Sequence, residues 1–248
     1  MSKIAQLTLS VQLPDDETFI SYQSITNHTV TDLLKAFING APAQTRSGKE
    51  KQVTDDSVKG FYLFGLTGVG KSHLLHASCA YAQELGLSSV CLSFSELQQL
   101  SVAVLDGLET IDVICLDDVQ LIADNAQWQQ AVFDLFNRVF EHNKKIIITG
   151  DKSVNQLGLT LPDLGSRLSW GLVEQLKPLS DEEKLTAIQF RAQQRGLLLS
   201  EEVARFLLTR LSREMNSLLD ALDKLDKASI REQRRITIPF IKQVLLES

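Results

Sequence analysis

The amino-acid sequence predicts an α/β domain with three layers, a five-stranded parallel sheet with helices on both faces, followed by a small all-helical domain. Five short apolar runs, rich in β-branched and aromatic residues, alternate with segments of helix length up to about residue 178. Continuous apolar strands separated by helices are typical of a parallel sheet that is buried on both faces. From about Leu179 such runs cease, and apolar residues recur at helical spacing instead.

The region before the sheet is predicted to contain one helix. Residues 1–14 are expected to form an extended N-terminal segment that ends at the turn-forming Pro14. Apolar residues at helical spacing predict a helix over Thr29–Asn39, and Gly40 ends it. Residues 41–59 contain almost no apolar side chains, so we expect a flexible loop there.

Beyond residue 14 the chain divides into two domains, the α/β domain over residues 15–178 and the helical domain over residues 179–248. In the helical domain, Ser180–Glu183 has the pattern of a capping box, Gly196 ends the first helix, and three further helices follow. The five strands are predicted at Phe61–Phe64, Val90–Phe94, Val113–Leu116, Ile146–Thr149 and Leu172–Leu176.

The composition excludes several classes of protein. Charged residues make up 23% of the chain and apolar residues 44%, which is the balance of a globular protein and not of a disordered one. With 25 Lys and Arg against 31 Asp and Glu, the net charge of −6 disfavours a protein that holds duplex DNA by itself. No apolar run reaches the ~18–20 residues of a membrane span, and the N-terminus lacks the apolar core of a signal peptide. We therefore expect a cytoplasmic protein that makes no use of a membrane.

Residues 65–72 match a phosphate-binding P-loop at every fixed position. Its glycines let the backbone turn tightly, so that N–H groups converge on phosphate oxygens at a helix N-terminus. Lys71 is expected to reach the β- and γ-phosphates, and the Ser72 hydroxyl to bind Mg²⁺. The alternative, a glycine-rich turn with a chance lysine, is disfavoured by the strand before the loop and the helix predicted after it. The predicted nucleotide-binding residues of this region are Gly65, Thr67, Gly68, Val69, Gly70, Lys71, Ser72 and His73.

Polar residues follow two of the other strands. Asp117 is a candidate to hold Mg²⁺ directly or through water, and Asp118 to orient the attacking water. A strand that ends in an acidic turn is the alternative, but the P-loop upstream favours the functional interpretation. Thr149 and Asp151 could approach the γ-phosphate from the side, while a Gly-Asp turn that leaves the sheet explains the same pattern equally well.

Together these segments resemble the AAA+ ATPases, and within them the bacterial replication-initiator family typified by DnaA. The resemblance rests on Gly65–Ser72, Val113–Asp118, Ile146–Asp151 and Leu164–Gly171, and it covers the chain from about residue 15 onwards. It implies a P-loop AAA+ domain with a helical lid, bound ADP or ATP, and Mg²⁺. Leu164–Gly171 looks like the family's arginine-finger motif, which implies that Arg167 acts in trans on a neighbour's nucleotide. A salt bridge at a helix end is the alternative role of Arg167.

One position departs from the family pattern. The third lid helix of the family presents an arginine to the nucleotide, and the corresponding residue here is Asn216. Arg213, one turn earlier on a similar helical face, is a candidate to replace that arginine. Both residues are nucleotide-binding candidates, and the departure implies that hydrolysis by this chain alone is weak.

The N-terminal segment resembles the short peptide by which bacterial proteins dock on the DNA polymerase sliding clamp. Its candidate clamp-binding residues are Gln6, Leu7, Leu9 and Val11. In an extended strand the three apolar side chains lie on one side, where they can fill a partner's pockets, and Gln6 can fix the register. The alternative is a first β-strand packed against the domain.

The resemblance as a whole implies a regulator of chromosomal replication initiation. Such a regulator docks on the DNA-loaded clamp, contacts DNA mainly through that clamp, and stimulates hydrolysis of ATP bound to the initiator DnaA, which prevents re-initiation. Two alternatives stay open, namely a helicase-loader-like ATPase that works by its own turnover and a nucleotide-binding scaffold. The sequence also leaves open whether the chain forms a homodimer or homo-oligomer.

Overall fold

The computed structural model describes residues 16–41, 58–210 and 214–246 of the chain. Five strands, all paired in parallel, form one sheet in the order β2-β3-β4-β1-β5. This arrangement confirms the predicted fold class. The strands are β1 (Gly60–Phe64), β2 (Ser89–Ser93), β3 (Val113–Asp117), β4 (Lys145–Gly150) and β5 (Leu172–Gln175).

Nine α-helices accompany the sheet within the described ranges, and their order alternates with the strands as predicted. They are α1 (His28–Asn39), α2 (Lys71–Glu84), α3 (Phe94–Leu97), α4 (Ala126–Glu141), α5 (Pro162–Trp170), α6 (Asp181–Gln194), α7 (Glu201–Arg210), α8 (Met215–Glu232) and α9 (Ile238–Leu245).

Several element boundaries differ from prediction by one or two residues, and two of these differences have a clear local reason. The second strand ends at Ser93 and not at Phe94, because the Ser93 hydroxyl accepts the N–H of Ser95 and so begins the short helix α3. The helix after the P-loop, predicted over His73–Leu85, begins at Lys71, since the P-loop leads into it without an intervening residue. Residues 42–57 of the predicted loop 41–59 and the whole N-terminal segment 1–14 lie outside the described residues.

The two faces of the sheet are both covered by helices. On the interior strand β1, Phe61 and Leu63 join the apolar cluster formed with α1 and α2. Tyr62, between them in sequence, joins the cluster formed with α4 and α5. Alternate residues of a strand point to opposite faces, so burial on both sides explains why the strands are continuous apolar runs.

Helices α6 to α9 form the lid, which has an apolar cluster of its own. Its first helix begins with the predicted capping box, in which the Ser180 hydroxyl accepts the Glu183 N–H at 3.2 Å and the Glu183 carboxylate accepts the Ser180 N–H at 2.7 Å. The same carboxylate accepts the N–H of Thr26 at 2.8 Å and the hydroxyl of Ser24 at 3.1 Å. Glu183 therefore both starts the lid and ties it to the segment before α1.

The carboxyl ends of β1, β3 and β4 lie side by side at one edge of the sheet. The P-loop follows β1, Asp118 follows β3 and Asp151 follows β4. Ligands of open α/β sheets bind at this edge, so the fold brings the predicted site residues of three strands to one place.

None of the described helices has the length and apolar character that a membrane crossing would need.

Candidate nucleotide-binding site

The P-loop has backbone conformations that only glycine adopts freely. Gly68 and Gly70 have φ of 80° and 93°, in the left-handed region. At Gly65 a β-carbon would lie 2.8 Å from the carbonyl oxygen of Leu176, which follows β5. The glycines at these positions are therefore required by the path of the chain, and they leave the N-terminus of α2 open to an anion.

Lys71 places its ammonium group inside the loop. Its side chain is buried, and Nζ donates hydrogen bonds to the carbonyl oxygens of Gly65 at 3.0 Å and Leu66 at 3.2 Å. These neutral carbonyls do not cancel the positive charge, so an anion at the loop can still attract the ammonium. The exposed Ser72 follows on the first turn of α2.

Tyr22 forms a wall of the P-loop that the sequence did not indicate. Its hydroxyl donates to the carbonyl oxygen of Val69 at 3.0 Å and accepts from the Asn27 side chain at 3.1 Å. A β-carbon on Gly70 would lie 2.6 Å from the Tyr22 ring. Asn27 is itself fixed by two hydrogen bonds with the backbone of Lys177, each 2.9 Å long. Burial raises the pKa of Tyr22, so its hydroxyl stays a neutral donor.

The ends of β3 and β4 are joined through Thr149. Its buried hydroxyl donates to the Asp117 carboxylate and accepts the N–H of Asp118 at 3.0 Å. Asp118 has φ of 64°, a conformation uncommon outside glycine. The short hydrogen-bond chain thereby fixes both aspartates where β3 ends.

Gln120, also not predicted, connects Asp118 with Asp151, the third acidic residue of this edge. Its side-chain amide donates to the Asp118 carboxylate at 2.8 Å and accepts the N–H of Asp151 at 3.2 Å. One carboxylate oxygen of Asp151 is buried without a hydrogen-bond partner among the described residues.

A cavity of about 370 Å³ opens between the P-loop, the segment before α1 and the lid. This volume lies within the usual range of about 300–1,000 Å³ for small-molecule sites. Of the predicted site residues, Gly65, Asp117, Thr149, Asp151 and Arg167 are not among those that line it. The cavity is lined by Glu17, Ser21, Tyr22, Gln23, Thr67, Gly68, Val69, Gly70, Lys71, Ser72, His73, Asp118, Gln120, Leu179, Ala187, Arg191, Met215, Asn216 and Leu219.

The lid contributes a buried arginine to this cavity. Asn216 lines it, while Arg213 lies outside the described residues. Arg191 of α6 is 3% exposed and is ion-paired with Asp16 and, at 3.7 Å, with Glu17. A signal for Arg191 exists in the sequence, because it occupies the same helical face as the buried Ala187.

The two histidines of α2 pack against the segment before α1. A nitrogen of the His73 ring lies 2.9 Å from the carbonyl oxygen of Thr18 and 3.2 Å from the Ser21 hydroxyl, and burial lowers the pKa of His73. His76 contacts the Glu17 carboxylate. Among the described residues, no group of three or more His, Cys, Asp and Glu side chains is arranged to hold a metal ion.

Arg167 lies in the last turn of α5, away from the cavity. Its guanidinium carbon is 5.1 Å from the centre of the Trp170 ring. No ion pair of Arg167 occurs within residues 16–41, 58–210 and 214–246, so the alternative of a helix-end salt bridge finds no partner there.

The donor set fits a nucleoside di- or triphosphate with Mg²⁺. The loop offers backbone N–H groups and one ammonium to the phosphates, and Ser72 and Asp117 are the oxygen donors that Mg²⁺ prefers. The left-handed glycines keep the approach free of side chains.

Comparisons with known proteins agree with this geometry. The sequence-family model of the bacterial DnaA ATPase domain matches residues 26–175, and that of the Hda lid domain matches residues 181–245.

Solved structures that share the fold include two of DnaA and one of RuvB. Domain III of the replication initiation protein DnaA from Thermotoga maritima is 20% identical, with a TM-score of 0.78 over 95% of this chain and 98% of that one. AMPPCP-bound DnaA from Aquifex aeolicus is 20% identical, with a TM-score of 0.67 over 90% of this chain and 71% of that one. The RuvB Holliday junction branch migration motor of Thermotoga maritima is 14% identical, with a TM-score of 0.65 over 94% and 72%.

Proposed function

The chain belongs to the bacterial DnaA ATPase-domain family of AAA+ proteins, and from this we propose that it is a nucleotide-bound regulator of chromosomal replication initiation. In this proposal it docks on the DNA-loaded polymerase sliding clamp and stimulates hydrolysis of the ATP bound to the initiator DnaA, which prevents re-initiation. The match of residues 181–245 to the lid of Hda, the regulatory inactivator of DnaA, supports a regulator of this kind.

The position of Arg167 carries the proposal. A γ-phosphoryl group in transfer spreads negative charge over its equatorial oxygens, and an arginine that arrives from a second protein stabilises that charge. Arg167 lies at the surface, outside its own nucleotide cavity and without a carboxylate partner among the described residues. Its guanidinium is therefore available to the ATP of a neighbour.

The chain's own nucleotide, ADP or ATP, is proposed to have a structural role. Lys71 and the P-loop N–H groups would hold its phosphates, and Ser72 and Asp117 would hold Mg²⁺, which neutralises phosphate charge when bound. The AMPPCP-bound relative from Aquifex aeolicus supports an adenine nucleotide. Asn216 offers no positive charge at the family's lid-arginine position, so we expect weak hydrolysis by this chain alone.

Clamp docking is assigned to Gln6, Leu7, Leu9 and Val11, which lie outside the described residues. The proposal for them therefore stands on their sequence pattern. Through the clamp the chain would reach DNA without a basic DNA-binding surface of its own, in keeping with its net charge of −6.

The decisive experiment follows phosphate release from ATP bound to DnaA in the presence of clamp-loaded DNA. Arg167→Ala should keep its own nucleotide and its clamp binding, yet lose about 10³-fold or more of the stimulation. Arg210→Ala is the matched control, because Arg210 is exposed and also lies over an aromatic ring, that of Phe206. Full stimulation by Arg167→Ala would refute action in trans, and rapid ATP turnover by the purified chain alone would favour a helicase-loader-like enzyme.

A pull-down with the clamp tests the docking step. Gln6→Ala should weaken clamp capture while leaving the melting temperature unchanged. If clamp capture is undiminished, the N-terminal peptide is not the docking element.

A further inference from the structure

Three aromatic rings surround the guanidinium group of Arg167. Its carbon Cζ lies 5.1 Å from the centre of the Trp170 ring, 5.7 Å from that of Phe140 and 5.8 Å from that of Phe133. The rings of Phe140 and Trp170 are stacked on each other, with centres 5.4 Å apart and planes inclined by 20°. We call Phe140 and Trp170 the aromatic cradle.

The guanidinium contacts these rings although a carboxylate is near it in sequence. Asp163 lies one turn earlier on α5 and lines the same surface depression, yet it forms no ion pair with Arg167. An i, i+4 pair of this kind often forms on helices. The cradle therefore determines the orientation of the Arg167 side chain in the free protein.

Both residues of the aromatic cradle lie on helices that are held by buried neighbours. Phe140 is on α4 and its ring contacts that of Phe136, which is 2% exposed in the core. Trp170 is followed by Gly171, where any β-carbon would collide with the backbone of Gly60 in β1. The end of α5 is thus held against β1, and with it the backbone that carries the Trp170 ring.

Trp170 nevertheless leaves 56% of its surface exposed. An indole ring usually hides more of its surface, and exposed aromatic residues beside an arginine are typical of surfaces that meet a partner. One face of the cradle serves Arg167, and the remainder stays accessible.

We propose that Phe140 and Trp170 are positioning residues for Arg167. They hold its guanidinium at the surface in one orientation, by cation–π contact, until the phosphate oxygens of the partner's ATP replace the rings. A cation–π contact at a partly exposed site is weak enough to be exchanged for a charged acceptor. Because the Arg167 side chain then loses less conformational freedom when it binds the partner's ATP, it is more often in the orientation that stabilises the transition state. This inference rests on the proposed trans action of Arg167.

The contact can first be tested in the free protein, without any partner. The chain has two tryptophans, and Trp128 is 3% exposed while Trp170 is accessible. Quenching by acrylamide therefore reports mainly on Trp170. Since the guanidinium shields one face of the indole, Arg167→Ala should increase the quenching, whereas Arg210→Ala should leave it unchanged. Equal quenching of wild type and Arg167→Ala would overturn the cradle.

The consequence for the reaction is tested with Trp170→Ala and Trp170→Phe. Trp170→Ala should lower the maximal rate of DnaA-bound ATP hydrolysis about three- to tenfold, as expected for loss of a cation–π contact, with little change in the concentration that gives half of that rate. Trp170→Phe should restore most of the rate, because phenylalanine keeps an aromatic face. Phe206→Leu, which removes the ring beneath Arg210 in the lid, is the matched control and should have no effect.

Two results would overturn the positioning role, provided that the melting temperatures of the variants match that of the wild type. One is an unchanged maximal rate in Trp170→Ala. The other is a defect confined to the half-maximal concentration, which would make Trp170 an interface contact only. If Arg167→Ala itself stimulates fully, the proposed function fails instead, and the quenching experiment separates that failure from a failure of the cradle.

Discussion

Arg191 of the lid is ion-paired with Asp16, in the segment that precedes α1. Arg195, one helical turn later, contacts the same carboxylate at 3.4 Å. Partial burial acts to raise the pKa of Asp16, but hydrogen bonding and attraction from Arg191 and then Arg195 hold it below its usual value. One carboxylate thus connects the lid to the segment that lines the nucleotide cavity.

Arg191→Gln should remove the ion pair that connects the lid to Asp16. The side chain of Arg191 is 4% exposed and that of Asp16 34%, so we expect the free energy of unfolding to fall by about 1–3 kcal/mol. Nucleotide affinity should fall as well, because Arg191 lines the cavity. Urea denaturation and calorimetry measure the two effects. Arg205→Gln is the control, since its pair with Glu201 is exposed and should contribute less than about 1 kcal/mol; similar losses in both variants would contradict the prediction.

Lys71→Ala should abolish nucleotide binding and leave the fold intact. The ammonium is the main point charge at the loop, whereas its contacts in the free protein are two hydrogen bonds to carbonyl oxygens. Titration calorimetry with ADP and with ATP checks the first part, and circular dichroism the second. The exposed Lys227 of α8 supplies the control variant Lys227→Ala. Equal affinity in wild type and Lys71→Ala would refute the P-loop assignment.

Thr149→Val keeps the shape of the side chain but removes the hydroxyl between Asp117 and Asp118. The N–H of Asp118 loses its acceptor and the Asp117 carboxylate loses its donor, so the free energy of unfolding should fall by about 1–3 kcal/mol. Because Asp117 is also the candidate Mg²⁺ ligand, Mg²⁺ should strengthen ATP binding less in this variant than in the wild type. Calorimetric titrations with and without Mg²⁺ compare the two proteins, and an unaltered Mg²⁺ effect would argue against a role for this edge in metal binding.

Glu183 should make stability depend on acidity. Burial would raise the pKa of Glu183, but the N–H groups of Thr26 and Ser180 and the hydroxyls of Ser24 and Thr26 together lower it to about 2. A carboxylate with a lowered pKa stabilises the folded state at pH values above its unfolded pKa of about 4.5, and this contribution is lost as the pH falls towards 2.

The measurement is the difference in unfolding free energy between wild type and Glu183→Gln across this range. We expect about 2 kcal/mol at pH 7 and a difference near zero at pH 2. Glu182→Gln, at the exposed neighbouring position, should show no such pH dependence. A difference that is constant with pH would show that the carboxylate charge does not contribute.

Features that depend on residues close together in the sequence were predictable from it. The strand over Val113–Asp117 is a run of apolar residues that ends in a carboxylate, and the P-loop is a contiguous motif. The start of α6 was predicted because both partners of its capping box lie within four residues. In each of these cases the physical signal is complete within a short stretch of chain.

The walls of the site could not be predicted in this way. Asn27 bonds to the backbone of Lys177, 150 positions away, and supports Tyr22 only because the fold brings these residues together. The helical spacing of Arg191 from Ala187 indicates a shared face of α6, but its ion pairs with Asp16 and Glu17 depend on how α6 packs against the segment before α1. The Arg167 motif was recognised, but its aromatic surroundings depend on how α4 and α5 pack, which no local pattern specifies.

Two stretches of polypeptide, one before and one after residues 42–57, meet at the site, where the Tyr22 hydroxyl donates to the Val69 carbonyl oxygen. If the backbone were cleaved within 42–57, the larger fragment would keep all five strands, the P-loop and the lid, yet lack one wall of the cavity. The smaller fragment, with α1 and Tyr22, would stay attached through its packing on α2 and its bonds to Val69 and Lys177. A ligand that binds only the joined pair tightens their association in proportion to its own affinity. Nucleotide would then stabilise the complex of the two fragments, and the extent of fragment complementation would measure nucleotide binding.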